Sequence, residues 1–396
     1  MENDLLQSVI EEPPSKPVRA PNYAKQQEKQ RALPIGYALN SNTNFYDIPA
    51  SDAFNELLER YLPSQGRPQR DAVDSDKQKG LEIMVMNNMW RSIAKYARHQ
   101  IVQSDPTQVE SILHLWYVRL LALTKLGLCQ LASAEFEKIG NLDRLELCDH
   151  NQQSLAPFEL RVLFATLPSH LKFPVLALER ITMLAVYCKK MQKKSADDIW
   201  KQREIQTYLV LATHWINIKD YSAAATTMQL ILTTKAVAPD NIDILSSLGR
   251  LYLQMGDLKS AQDMFERMEQ QLSNSDTAKE AIDTNKAFAF MAKGEWAQAR
   301  DILQRVYQSN NENLLAINNL AVCEVYLGML VKAIEILETL ISNNPTSAGT
   351  CETAIMNLCT LYELRFEDAT VKKVEVMKQV ARWAGDSFQA DCIKLQ

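Results

Sequence analysis

The chain has 396 residues, a formal net charge of −5, 46% hydrophobic residues and 23% charged residues. A mildly acidic chain without a basic block argues against nucleic-acid binding on electrostatic grounds. No apolar run reaches the ~18 residues that a membrane-spanning helix needs, and only 11 glycines favour a helical chain over an all-β fold.

Residues 1–45 are predicted to be a disordered N-terminal segment, because Pro13, Pro14, Pro17 and Pro21 and the charged tract Lys25–Arg31 interrupt any helix there. The first residues carry acids where a secretory signal has bases, which predicts a cytosolic protein. Within this segment, four residues at helical spacing make one short apolar face: Leu5, Leu6, Val9 and Ile10. A frayed terminus and a docking motif both explain that face, and both interpretations stay open.

Residues 46–105 are predicted to form helices that cap a larger array. Ser51 or Asp52 can start a helix that runs through Tyr61, since both are good N-cap residues. From Leu81 to Val102 the apolar residues recur on one side at helical spacing, which predicts a continuous helix.

Residues 106–200 show the spacing of tetratricopeptide (TPR) repeats in a degenerate form. In the first repeat Arg119 occupies position 7, where an apolar residue is expected, and in the next Pro168 falls within the first helix. The charged stretch Lys189–Asp198 is predicted to be a surface loop. In the repeat that contains Arg119, acceptable residues occupy the other TPR signature positions and the turn: Trp116, Leu120, Leu123, Gly127, Ala132 and Phe136.

Residues 201–348 are predicted to be regular TPR repeats, and residues 349–396 a C-terminal helical pair and tail. The best-preserved repeat spans Ile242–Leu272, with Gly249 and Ala261 small where two antiparallel helices cross. Gly256 is expected to end the first helix in a left-handed conformation, and Asp257 to cap the second. Gly294 and Gly328 are 34 residues apart (328 − 294), which is the TPR period.

Four consecutive repeats in register predict an all-α fold, a TPR-type right-handed superhelical solenoid of antiparallel helix pairs. A single helical hairpin cannot bury both of its apolar faces, so each repeat requires neighbours.

The sequence indicates no catalytic or cofactor-binding chemistry, and we expect no enzyme. It contains no Gly-rich phosphate loop, nucleophile elbow or HExxH motif. The seven cysteines form no CxxC pair, and Cys148-Asp149-His150 lacks the second half of a metal site. We therefore predict reduced core thiols, a surface loop at Cys148, and neither cofactor nor metal.

The concave face of the solenoid is predicted to be apolar. A carboxylate clamp, as in chaperone adaptors, would require Lys, Asn and Arg at positions where Ser246, Arg250, Asn285, Leu315 and Asn319 stand, and only one requirement is met. The candidate partner-binding groove is defined by six residues of that face: Leu253, Phe288, Met291, Leu315, Val322 and Val325. They could instead pack within the superhelix, and this alternative stays open.

Two less regular segments carry a specific resemblance. Leu115-Trp116-Tyr117-Val118-Arg119-Leu120 and Gly385-Asp386-Ser387-Phe388 resemble segments of the family of subunit twelve of the trafficking protein particle (TRAPP). The resemblance covers roughly residue 80 to the end, with the TPR block in the family's order.

The resemblance implies a non-catalytic scaffold subunit of the TRAPP III complex, which activates a Rab-family GTPase and tethers vesicles. Its expected partners are the large subunits eleven and eight, with the core and the GTPase reached through them. It implies a role in endoplasmic reticulum to Golgi transport and autophagy, a cytoplasmic location peripheral at the intermediate compartment and Golgi, and only indirect membrane contact. Vertebrate relatives have a longer disordered N-terminal region, so roles depending on it are not expected here. The alternative is a stand-alone, co-chaperone-like TPR adaptor.

Overall fold

The computed structural model describes residues 35–49, 52–68, 80–148, 154–194, 198–234, 241–271 and 276–395. These residues form a TPR-type solenoid of antiparallel helix pairs, so the predicted fold class is confirmed. Four helices precede the regular pairs: α1 (Ile35–Leu39), α2 (Ala53–Tyr61), α3 (Leu81–Met86) and α4 (Trp90–Gln103).

Seven consecutive helix pairs follow. The first four are α5 (Val109–Lys125) with α6 (Cys129–Ile139), α7 (Phe158–His170) with α8 (Pro174–Lys194), α9 (Ile199–Asn217) with α10 (Tyr221–Thr233), and α11 (Ile242–Met255) with α12 (Leu258–Gln271). The last three are α13 (Asp276–Lys293) with α14 (Trp296–Ser309), α15 (Leu314–Tyr326) with α16 (Leu330–Asn343), and α17 (Glu352–Arg365) with α18 (Thr370–Val380). From α8 onward each pair packs on the next, so the interior is continuous along the array.

The turn between α11 and α12 confirms the predicted capping. Gly256 has a φ of 80° and ends α11 in the left-handed conformation, which costs glycine no steric strain. The Oδ1 atom of Asp257 accepts a hydrogen bond from the backbone N–H of Ser260 at 3.0 Å. This bond satisfies one of the unpaired amides at the start of α12.

The close crossing of α11 and α12 depends on Gly249. A Cβ atom at this position would lie 2.4 Å from Cε1 of Phe265. Ala261 on the facing helix is fully buried, and Phe265 is almost so. The phenyl ring therefore occupies the volume that a side chain at position 249 would need.

We expect Gly249→Leu to lower the free energy of unfolding by about 1–3 kcal/mol, because the added carbons overpack a site that Phe265 already fills. Ser247→Leu is the matched control, since Ser247 lies on the same helix and is exposed. Urea denaturation followed by circular dichroism measures both variants. Equal stability of the two would show that the crossing tolerates a side chain.

A buried ion pair explains the misfit at position 7 of the first repeat. Arg119 and Glu135 are both fully buried, and the guanidinium Nη2 and Nε donate to the two carboxylate oxygens at 2.6 and 3.0 Å. Arg119 also donates to the backbone carbonyl of Ala94 at 3.0 Å and to that of Tyr46 at 2.9 Å. The N–H of Tyr46 donates in turn to Glu135 at 3.0 Å. This network attaches the segment around Tyr46 to α4, α5 and α6.

The same segment packs on Trp116. The indole N–H of Trp116 donates to the backbone carbonyl of Leu39 at 3.1 Å, and the ring of Phe45 stacks on the indole with 4.7 Å between centroids. Residues 35–45, which fall in the segment predicted to be disordered, thus form α1 and a short 3₁₀ turn in contact with α5. The rest of the predicted segment, residues 1–34, lies outside the described residues.

Helix α2 packs against the opposite end of the array. Its apolar residues Phe54, Leu57 and Leu58 share one buried cluster with Val380 of α18 and Ile393 of the C-terminal 3₁₀ turn (Ala390–Ile393). The ring of Phe54 lies 5.0 Å from that of Phe388. As predicted, α2 ends at Tyr61 and is capped by Asp52, which accepts from the N–H of Asn55 at 2.6 Å.

The C-terminal tail also bonds to the start of α4. The N–H of Asp386 donates to the carbonyl of Asn88 at 3.0 Å, and its carboxylate accepts from the N–H of Arg91 at 2.9 Å. A Cβ atom at Gly385 would lie 2.3 Å from that of Asn88, so the tail approaches closely. The two ends of the solenoid are therefore joined.

Two predicted boundaries need correction. The helix expected over Leu81–Val102 is broken between α3 and α4, where Asn88 has a φ of 52° and contacts the C-terminal tail. The loop expected over Lys189–Asp198 starts later, because α8 continues through Lys194. Its lysines are compatible with a helix C-terminus, since cations there interact favourably with the helix dipole.

Candidate partner-binding groove

The six predicted groove residues lie on the first helices of three successive pairs. Leu253 is on α11, Phe288 and Met291 are on α13, and the remaining three are on α15. Leu315 is 44% exposed, and the other five are half-buried. Helices α11 and α13 contact each other directly, so their residues belong to one wall.

Part of this apolar surface is used inside the solenoid. Leu253 packs against the cluster formed by α8 to α12, Met291 against that of α13 to α15, and Val325 against the C-terminal cluster. One side of each of these three side chains therefore packs within the superhelix, which is the alternative interpretation from the sequence. Because they are half-buried, part of each of these side chains also remains exposed to solvent.

A polar chain runs across the same wall. The Nε of Arg250 donates to Oδ1 of Asn285 at 2.9 Å, and Nδ2 of Asn285 donates to Oγ of Ser246 at 2.9 Å. Further along the array, Asn357 donates to Asn318 at 3.0 Å with the same separation of 39 residues in the chain. Asn285, the one clamp residue present, thus uses its amide group to bond with Arg250 and Ser246.

Arg250 makes the groove wall amphipathic. Its guanidinium lies 5.4 Å from the centroid of the Phe288 ring, within the range of a cation–π contact. Burial lowers the pKa of Arg250 from its usual value, but an arginine stays protonated at neutral pH. Arg250 therefore places a positive charge beside Phe288. In the sequence, Arg250 is notable only because it does not fit the clamp pattern.

An aromatic pair borders the groove at the turns between helices. Trp296 at the start of α14 stacks on Tyr326 at the end of α15, with 3.8 Å between centroids and 3° between planes. Tyr326 and Met329 are both exposed. Sequence reasoning placed no function at these turns, because their residues lie outside the repeat positions that define the concave face.

The thiols are free and mostly inert by environment. Burial raises the pKa of Cys323 to about 11 and the pKa values of Cys359 and Cys392 to about 12, so little nucleophilic thiolate forms at neutral pH. Of the cluster Cys148-Asp149-His150, only Cys148 lies within the described residues. Among those residues, no group of three or more His, Cys, Asp or Glu side chains is arranged to hold a metal ion.

None of the described helices is both long enough and apolar enough to cross a bilayer. The tetratricopeptide repeat family profile matches residues 290–349, which run from the end of α13 through α16. This match covers the last residues of α13 and the whole of α14, α15 and α16.

Two curated relatives align with 88% of this chain. Mouse (Mus musculus) trafficking protein particle complex subunit 12 is 27% identical and is covered over 49% of its length, and the human (Homo sapiens) protein is 28% identical and covered over 53%. The resemblance to subunit 12 is confirmed. The chain spans about half the length of these curated relatives.

Solved structures with similar helical repeats were also found. A tetratricopeptide repeat protein from Parabacteroides merdae is 12% identical, covers 74% of this chain and 98% of its own, and has a TM-score of 0.38. A chain of the APC/C hetero-tetramer Cut9-Hcn1 is 13% identical, covers 78% of this chain and 51% of its own, and also scores 0.38. Nothing is carried over from these proteins to this chain.

Proposed function

We propose that the chain is a non-catalytic scaffold subunit of a trafficking protein particle assembly. The observation that carries this proposal is the similarity to subunit 12 along 88% of the chain. A TPR solenoid suits the role, because stacked repeats present an extended surface on which several partners can bind.

The proposed assembly is TRAPP III, in which the large subunits eleven and eight would be direct partners. Through them the chain would reach the core and support Rab GTPase activation, vesicle tethering, endoplasmic reticulum to Golgi transport and autophagy. The chain would then be cytoplasmic and peripheral at the intermediate compartment and Golgi, with membrane contact through other subunits. These finer points rest on the similarity to subunit 12.

Within this function, the groove is the proposed contact for one partner segment. Phe288 and Val322 supply apolar surface that is half-buried in the free chain, and Arg250 supplies a cation beside Phe288. A partner helix or extended segment with apolar anchors and an acidic residue matches both features. Burial of the anchors would provide affinity, and the charge would favour one orientation.

We expect Phe288→Glu with Val322→Glu to reduce co-purification of the other particle subunits at least about tenfold, because the partner would have to desolvate two carboxylates. Affinity purification of the tagged full chain from cells, with quantitative mass spectrometry, measures the loss. The unsubstituted chain should return the particle's core subunits in stoichiometric amounts. Leu230→Glu is the matched control, since Leu230 is an exposed apolar residue of α10.

The outcomes separate the groove from the wider function. Unchanged capture by the double variant, with helical circular dichroism intact, would reject the groove and leave the scaffold role standing. Recovery of chaperones without the core subunits by the unsubstituted chain would reject the scaffold role and favour the stand-alone adaptor.

A further inference from the structure

Helix α8 has an apolar face that the solenoid leaves uncovered. Val175, Met183 and Val186 are 76%, 63% and 54% exposed, and their spacing places them on one side of the helix. Leu176 and the preceding Phe173 extend the same exposed surface. Several large apolar side chains within a few turns of one helix mark an interaction surface on a soluble domain.

This exposed face is separate from the side of α8 that packs into the core. Ala177, Ile181, Leu184 and Cys188 are buried against neighbouring helices, so α8 is apolar on two sides. A helix with this pattern is normally covered on both sides. We call the outer side the α8 face, defined by Phe173, Val175, Leu176, Met183 and Val186.

Positive charge surrounds the α8 face. Lys172 precedes the helix, and four exposed or half-exposed lysines follow Val186 in its last turns: Lys189, Lys190, Lys193 and Lys194. Lys189 pairs with Glu204 of α9 at 3.7 Å. Glu179 is the acidic residue within the face. The excess of lysines favours an occupant that combines apolar and acidic side chains.

The chain itself contains a segment of that composition. Residues 2–12 hold the apolar set Leu5, Leu6, Val9 and Ile10, flanked by Glu2, Asp4, Glu11 and Glu12. The i, i+4 spacing of this set would present one apolar side in a helix. The scaffold function proposed above does not involve this apolar set.

The stretch between this N-terminal segment and the described residues is long enough for the segment to reach the α8 face. Residues 13–34 join the segment to Ile35, and a stretch of this length reaches at most about 70 Å when extended. Ile35 packs against the cluster that includes Leu160 and Leu163 of α7, which is the helix paired with α8. Ile35 thus packs on a cluster to which the helix paired with α8 also contributes.

We propose that the α8 face is the docking surface for residues 5–10 of the same chain. The apolar set covers Val175, Met183 and Val186, and the flanking acids face the lysines at the end of α8. Tethering makes weak contacts sufficient, because a linker of this kind provides an effective concentration of about 1 mM.

Methionine footprinting on the full chain tests the proposal, because Met183 lies in the centre of the face. We expect hydroxyl radicals to oxidise Met183 about tenfold more slowly in the unsubstituted chain than in the double variant Leu6→Asp, Ile10→Asp. The reason is that residues 5–10, being tethered, would cover the face most of the time. Met86 is 82% exposed on α3 and should oxidise equally in both. Val18→Asp, in the linker, is the control that should keep Met183 protected.

Charge reversal on the face gives a second measurement. Lys190→Glu with Lys193→Glu should speed oxidation of Met183 toward the rate in the Leu6→Asp, Ile10→Asp variant. Equal oxidation of Met183 with and without the apolar set would overturn the proposal. Protection that rises with protein concentration would also overturn it, since the occupant would then be a second copy of the chain.

Discussion

Glu135→Ala is expected to lower the free energy of unfolding by about 3–5 kcal/mol, because it leaves the guanidinium of Arg119 buried without its counter-charge. Both residues are fully buried, so the pair is shielded from bulk water. The N–H of Tyr46 also loses its acceptor, which detaches the segment around it. Denaturation with guanidinium chloride, followed by tryptophan fluorescence and circular dichroism, measures the loss.

Two further variants decide whether charge is the cause. Arg119→Met with Glu135→Leu should recover part of the lost stability, because no unpaired charge remains, while the N–H of Tyr46 and the carbonyls of Ala94 and Tyr46 still lose their partners. Arg98→Ala removes an ion pair whose partner, Asp47, is almost fully exposed, and it should change the midpoint little. A Glu135→Ala variant as stable as Arg98→Ala would contradict the prediction.

Phe54→Ala is expected to open the junction between the two ends of the solenoid. Truncating a buried phenylalanine costs about 3–5 kcal/mol, and here the loss falls on α2 and the C-terminal tail that contains Phe388. Amide exchange in α2 should accelerate by at least about a hundredfold, since 1.4 kcal/mol corresponds to a factor of ten. Hydrogen exchange with mass spectrometry resolves this by segment.

The distribution of faster amide exchange along the chain tests whether the junction between the two ends is a local contact. Protection in α11 to α13 should stay unchanged, because the cluster that holds Phe54 includes no described residue of these three helices. Leu364→Ala is the matched control, an exposed apolar residue of α17 whose truncation should leave α2 protected. Uniform loss of protection along the chain would contradict a local junction.

The two segments that carry the specific family resemblance both take part in contacts at the ends. Trp116 and Arg119 bond to Leu39 and Tyr46 of the N-terminal segment, and Asp386 bonds to the start of α4. These residues therefore hold the array together, and their departure from the TPR pattern has a structural cause. The binding surfaces proposed above lie elsewhere, on the regular repeats and on α8.

The repeat architecture could be predicted from the sequence because it depends on short-range patterns. The left-handed Gly256, the cap at Asp257 and the small residue at Gly249 each act within one helical hairpin, and their spacing recurs from repeat to repeat. The groove positions follow from the same register. The partial burial of these side chains does not follow from the register, because it depends on how far each helix pair rotates against the next.

The sequence by itself thus determined the helix pairs, their turns and the solenoid, since these are specified by residues close together in the chain. Only the tertiary structure decided that the ends meet, that Arg119 pairs with Glu135, and that the helix after Leu81 breaks at Asn88. The bond between Arg91 and Asp386 joins residues 295 positions apart. A contact of that range produces no periodic pattern in a single sequence, because it arises only when the whole array has curved and brought its two ends together.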